Sequence, residues 1–250
     1  MADKQQYHSE VIDLPSKGKV YSENSPLSSG KIEIKYMTAK EEDILTSQNL
    51  IKKGVVIDKL LDALILTKGV KTDDLILGDK NAVMIAARVL AYGPEYSAEF
   101  TNPETGELVQ HTFNLADCPF KEISDDISGN EFEIELPTSK SNVKFKLLTG
   151  KEEKKIEEEL NSKKKMGSQI SSELTTRLKH SIISVNGEDN TGKISNFVDN
   201  MLARDSLFLR NKIADMSPDI EMKQEVDLGG KMVEINIPLT IEFFWPSTIS

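Results

Sequence analysis

Three histidines, one cysteine and many carboxylates are the groups in this 250-residue chain that could do chemistry. A helical metal pair needs histidines at i and i+4, and His8, His111 and His180 are scattered through the chain with no neighbouring carboxylate motif. Cys118 precedes Pro119, with Lys121 the nearest base. A nucleophilic thiol needs an adjacent positive charge to lower its pKa, so Cys118 reads as a buried structural cysteine. A single cysteine also excludes a disulfide framework and a thiolate metal cluster. Glu152, Glu153, Glu157, Glu158 and Glu159 interleave with Lys151, Lys154 and Lys155 at helical spacing, the pattern of a solvated helix face rather than of an acid–base pair. The basic run Lys163 to Lys165 that follows could hold a phosphate, but a preference for cations at a helix carboxyl end explains it without a ligand. No Gly-rich phosphate loop, serine elbow or His-Glu-x-x-His is present, and no helix start follows Gly229-Gly230 to receive an anion. Cleavage of peptidoglycan would need two carboxylates with separated pKa values, and no acid stands out from the helical charge pattern. These residues imply no catalytic, cofactor or metal site.

The balance of charge narrows the partners. With 41 acids against 31 bases, a net charge of −10 and 38% hydrophobic residues, the chain has the composition of a soluble globular protein and not of one that gathers nucleic acid by counterion release. The first residues contain no apolar signal region, and no apolar run approaches the roughly 20 residues of a membrane span. A reducing cytoplasm, or a particle assembled there, is the expected compartment. Aromatics make up only 6% of the chain, yet Phe243, Phe244 and Trp245 are consecutive and followed by Pro246. Such density either plugs the chain's own core or anchors a partner.

The elements that must position these groups follow from periodicity. Residues 1–30 carry Pro15, Gly18, Pro26, Gly30 and four serines between Ser22 and Ser29, and read as an extended arm ordered where something covers it. Ile32, Ile34 and Tyr36 alternate with charged residues as a half-buried strand. Thr38 with Glu41 forms a capping pair, and the helix it opens is expected to reach about Ile51. Further helices are expected over 55–66 and 79–91, the latter stopped by Gly93 and Pro94. Short strands over 96–100 and 108–115 flank a Pro- and Gly-containing turn at 102–106, which makes a hairpin.

The chain also repeats itself. Moving residues 79–115 forward by 124 lays Val83 on Leu207, Val89 on Ile213, Pro94 on Pro218, Tyr96 on Ile220 and Gly106 on Gly230. At an offset of 111, Ile32, Ile34, Thr38 and Glu41 meet Val143, Phe145, Thr149 and Glu152, and Leu14-Pro15 is echoed by Leu136-Pro137. The expected fold is α+β: two tandem, internally duplicated subdomains, each a strand plus helices followed by a β-hairpin. The organisation is an arm over 1–30, a first repeat over 31–120, a linker over 121–135 and a second repeat over 136–250.

Leu14-Pro-Ser-Lys-Gly18 with Tyr21, Met37 to Glu42, Ala91-Tyr-Gly-Pro94 and Phe243-Phe-Trp-Pro246 occur in an order that resembles the baseplate hub and hub-assembly proteins of T4-like contractile-tailed phages. In relatives of that type the hairpin turns carry Cys-Pro-x-Cys-Gly, which looks like a zinc knuckle. Here residues 102–106 and 226–230 supply no thiolate, so no zinc is expected. The resemblance implies a non-enzymatic structural subunit of the central hub of the tail baseplate, a virion component assembled in the bacterial cytoplasm. The alternative is a chaperone that holds hub or tape-measure segments and then leaves. Its partners would be other hub and tail proteins and the tape measure, with no nucleic acid, membrane, metal or cofactor. Partner binding is expected at Leu14, Pro15, Lys17, Gly18 and Tyr21 of the arm and at Phe243, Phe244, Trp245 and Pro246. Deletion of residues 1–25 is expected to leave a folded but assembly-defective protein.

Overall fold

The computed structural model describes residues 8–167, 171–239 and 243–244. Helices and strands are mixed, and every strand pairing is antiparallel, as an α+β chain requires. Strand β1 (Ser9–Asp13) pairs with β2 (Lys31–Lys35), in register from Ser9↔Lys35 to Asp13↔Lys31. The alternation in β2 turns Ile32 and Ile34 inward, where both are fully buried. Helix α1 (Ala39–Leu45) follows, then α2 (Gln48–Lys52). The single helix expected to Ile51 is thus broken at Thr46 and Ser47. The Thr46 hydroxyl bonds back to the Glu42 carbonyl at 3.3 Å and Ser47 is extended, which is how hydroxyl side chains compete with the helical ladder. Helix α3 (Val56–Leu64) buries Leu60, Leu61 and Leu64, and Ile65 then bridges to Ile34. Helix α4 (Leu77–Tyr92) ends at Gly93 and leads into the hairpin of β3 (Glu95–Thr101) and β4 (Leu108–Asn114).

The remainder proceeds in a similar succession. After the short β5 (Phe120–Lys121), β6 (Phe132–Glu135) and β7 (Asn142–Phe145) form a hairpin, followed by α5 (Gly150–Lys165) and α6 (Glu173–Ser181). Strand β8 (Ile182–Val185) then joins β7 as the third strand of that sheet. Helices α7 (Thr191–Asp199) and α8 (Ala203–Met216) lead through β9 (Asp219–Ile220) to a last hairpin, β10 (Lys223–Asp227) and β11 (Met232–Asn236).

Two local devices occur in both parts. The Glu41 carboxylate accepts from the Thr38 amide at 3.0 Å and its hydroxyl at 2.7 Å, and pairs with Lys35 at 2.7 Å. Glu152 does the same with Thr149, at 3.0 Å to the amide, and pairs with Lys146 at 2.8 Å. In each device the glutamate thus takes both donors of the threonine. Asp79 and Asp205, each the third residue of α4 or α8, are both fully buried. Asp79 accepts from the Ser16 amide and hydroxyl, and Asp205 from the Thr138 and Ser139 amides; in both cases the donors sit just after a Leu-Pro pair. The gapless overlay of 79–115 on 203–239 does not hold through the helices. It puts Val83 on Leu207, yet Val83 is buried and Leu207 is 51% exposed; the buried residue at that depth of α8 is Leu209. Helix α4 has 16 residues and α8 has 14, so their starts and ends lie at different offsets.

Two hydrophobic clusters hold these elements, and neither follows chain order. The first gathers Leu14, Leu27, Ile34, Leu61, Val83 and Phe113 together with Ile220, Val226, Ile235 and Phe243 from the far end of the chain. The second centres on Phe132, Val143, Phe145, Leu178 and Leu209 and takes in Val20 and Ile76 from the front. Between them, β5 pairs with β9, and Ile76 with Thr149 at the abutting starts of α4 and α5. Gly78 allows the closest approach: a Cβ there would lie 1.7 Å from the Pro218 carbonyl oxygen.

Candidate interaction surfaces

The amino-terminal residues singled out in the sequence fold onto the chain itself from Ser9 onward. Leu14 is 2% exposed, Pro15 and Gly18 are buried, and the Leu14 amide donates to the Gly30 carbonyl at 2.8 Å. Gly18 has φ +79°, and a Cβ there would stand 2.3 Å from the Ser28 carbonyl oxygen, so the position admits only glycine. Tyr21 donates its hydroxyl to Asp79 at 2.6 Å and receives the Ile76 amide at 3.1 Å, tying this segment to the start of α4. Burial, with the Asp79 carboxylate next to it, pushes the Tyr21 phenol far up, so it remains a neutral donor. Lys17 alone of this group turns outward, where it pairs with Glu122 at 2.5 Å.

At the other end, Phe243 and Phe244 fill the chain's own core, at 4% and 3% exposure. Arg88, itself buried, donates from Nε to the Phe243 carbonyl at 2.6 Å and from its two terminal nitrogens to the carbonyls of Gly93 and Glu95. The Tyr96 ring meets Phe243 edge-on at 5.3 Å, and its hydroxyl donates to the Pro238 carbonyl. Trp245 and Pro246 lie outside the described residues.

The cysteine, the histidines and part of the α5 charged face are engaged in structural contacts. Cys118 is buried, with its thiol pushed up by that burial and Gln224 Nε2 at 3.7 Å from the sulfur. His111 packs edge-on against Phe113, and His8 lies against Tyr36. His180 stands 3.2 Å from Glu159, a pairing between α5 and α6 that sequence spacing could not reveal. On the α5 charged face, Glu153 takes the Arg177 guanidinium in two bonds of 2.5 and 3.0 Å, and Lys151 reaches Asp74 at 2.7 Å. That face is therefore partly an interface and not wholly solvated. Among the described residues no group of three or more His, Cys, Asp and Glu side chains is arranged to hold a metal ion. The two hairpin turns aligned in the sequence meet in space through the Glu104–Lys231 ion pair. Each turn is closed by an Asx side chain: Asn102 accepts from the Glu104 amide and Asp227 from the Gly230 amide.

One feature had no signal in the sequence. A groove of about 700 Å³ opens where α6, the carboxyl end of α8 and the base of the last hairpin meet the start of α4. Leu174, Leu178, Ile213, Ile220 and Ile237 give it apolar walls, and Lys121, Arg177, Arg210 and Lys223 line its edge. It is assembled from residues more than a hundred positions apart, so no local pattern announces it.

An antiparallel α+β chain whose buried acids brace its own elements, and whose open face is an apolar groove, has the character of a scaffold. The family model described as T4 bacteriophage base plate protein matches residues 7–245, and the chain belongs to that family. It is a structural protein of the phage tail, a virion component that contacts other tail proteins. No curated protein and no solved structure matches the chain.

Proposed function

We propose that this chain is a non-enzymatic structural subunit of the central hub of a contractile tail's baseplate, assembled in the host cytoplasm and acting through protein contacts. The observation that carries the reading is the commitment of the buried carboxylates. Glu41, Asp79 and Asp205 are each saturated by amides, hydroxyls or a lysine of a neighbouring element, which spends their charge on rigidity. Two related halves suit that role, and we read the matching caps at Thr38 and Thr149, the matching acids Asp79 and Asp205, and the shared order of hairpin, helices and hairpin as traces of one module copied in series. In that reading the halves over 31–120 and 136–250 each extend forward to take in their first strand, β1 from the arm over 1–30 and β6 from the linker over 121–135. In this reading the partner-binding role of the amino-terminal segment falls to outward-facing Lys17 and the exposed residues 22–24, because Leu14, Pro15 and Gly18 are already covered and Tyr21 is tied to Asp79. Trp245 and Pro246 would carry it at the other end.

Quantitative mass spectrometry of purified tails tests the reading: a structural subunit is present at fixed stoichiometry. Its absence from finished tails, with its presence in assembly intermediates, would instead establish the assembly chaperone for hub or tape-measure segments.

A further inference from the structure

The end of α4, the Gly93–Glu95 turn and Tyr96 of β3 make a seat that Phe243 occupies, with Arg88 holding the Phe243 carbonyl. The second half has the same succession: the end of α8, the turn at 217–219 and Ile220 of β9. There these elements border the open groove of about 700 Å³. Leu174 on its α6 wall is 42% exposed. The edge carries four cations, Lys121, Arg177, Arg210 and Lys223, against two acids, Asp219 and Glu221, in a chain whose net charge is −10. Arg177 clamps Glu153 and Lys223 holds Glu234, whereas Arg210 is exposed and makes no ion pair among the described residues. With Arg177 held by Glu153 and Glu173, Lys223 by Glu234 and Lys121 on the Ala214 carbonyl, exposed Arg210 is the cation left beside the apolar trough, and together they complement a segment that carries aromatic side chains and an acid.

We propose that this groove docks an extended segment of a partner polypeptide that carries aromatic side chains beside an acidic residue. The inference rests on, and deepens, the reading that the protein works by contacting other tail proteins. The probe is a fluorescein-labelled peptide of residues 238–246 of this chain, whose Phe243, Phe244, Trp245 and Glu242 supply that chemistry. Anisotropy titration of the full chain gives saturable binding. Leu174→Glu and Arg210→Glu, both at exposed positions and checked for retained fold by circular dichroism, each weaken it about tenfold. A control peptide with the three aromatics replaced by alanine does not bind.

Absence of binding to the wild-type chain, equal affinity of wild type and both variants, or equal binding of the control peptide overturns the proposal. Binding that emerges only when residues 245–250 are deleted assigns the groove to the chain's own terminus and overturns it as well. Tail composition separates this inference from the reading beneath it. If the peptide fails while the wild-type chain sits in purified tails at fixed stoichiometry, the groove proposal falls and the baseplate reading stands. If the chain is missing from tails, the structural-subunit reading falls.

Discussion

Asp79 and Asp205 occupy the same place in their helices, yet their surroundings move them in opposite directions. Burial pushes Asp79 up, and bonds from Ser16 and Tyr21 recover only part of the shift. Burial also pushes on Asp205, but there the Thr138 and Ser139 amides prevail and hold the carboxyl below its ordinary value. Glu152 behaves like Asp205: burial is outweighed by the Lys146 ammonium and the Thr149 hydroxyl and amide, which bring it down to about 2. A carboxyl lowered by folding contributes stability that is complete above its ordinary value, near 4.5, and is lost as pH falls towards about 2. Asp79, raised by folding, has the opposite sense, favouring the fold below its ordinary value and less so as pH rises. Denaturant unfolding from pH 7 to pH 2 should therefore show Glu152→Gln costing about 2 kcal/mol at pH 7, with the gap to wild type closing in the acid range. Gly78 is the sharpest steric constraint. Gly78→Ala places a methyl group against the Pro218 carbonyl and should lower stability by about 3 kcal/mol, read as a fall in Tm. The capping pairs were legible in the sequence because their donors and acceptors lie three residues apart. The Pro218 contact was not, because it joins positions 140 residues apart.

Helices and hairpins were the most legible elements, since their hydrogen bonds close over three to twenty residues. Helix α4 and the β3–β4 hairpin stand where their apolar period and turn residues put them. The break between α1 and α2 was hidden by an amphipathic pattern that runs through it. The amino-terminal segment illustrates a different limit. Its turn formers suggest an arm, while its few apolar residues, Leu14, Val20 and Leu27, each reach the core. Removing residues 1–25 strips β1 from β2, empties the sites of Leu14 and Val20 and leaves Asp79 buried without Ser16 or Tyr21. The expected outcome is loss of cooperative unfolding rather than a folded, assembly-defective chain, because loss of the buried Leu14 side chain alone costs about 2–5 kcal/mol, and the loss of Val20 and an unpartnered buried acid add to that. A deletion ending at residue 7 keeps every one of these contacts and should still unfold cooperatively; scanning calorimetry of both truncations tests the contrast.

In the whole molecule the two clusters exchange parts. The last hairpin and Phe243 complete the first core, while Val20 and Ile76 enter the second. The front and back of the chain are consequently braced against each other by β5–β9, by the Ile76–Thr149 bridge and by the Lys151–Asp74 ion pair. A body so joined presents fixed surfaces to its neighbours, which suits a tail subunit. By itself the sequence determined the α+β class, the positions of α3 and α4 and the first hairpin, the paired caps and the resemblance to baseplate proteins. All of these rest on interactions or residue orders that are local in the chain. The tertiary structure alone decided that the amino-terminal segment is folded in, that Asp79 and Asp205 are buried acceptors, and that an apolar groove opens beside α8. Those outcomes depend on which distant surfaces exclude water from one another, and burial of that kind leaves no periodic mark on a single chain.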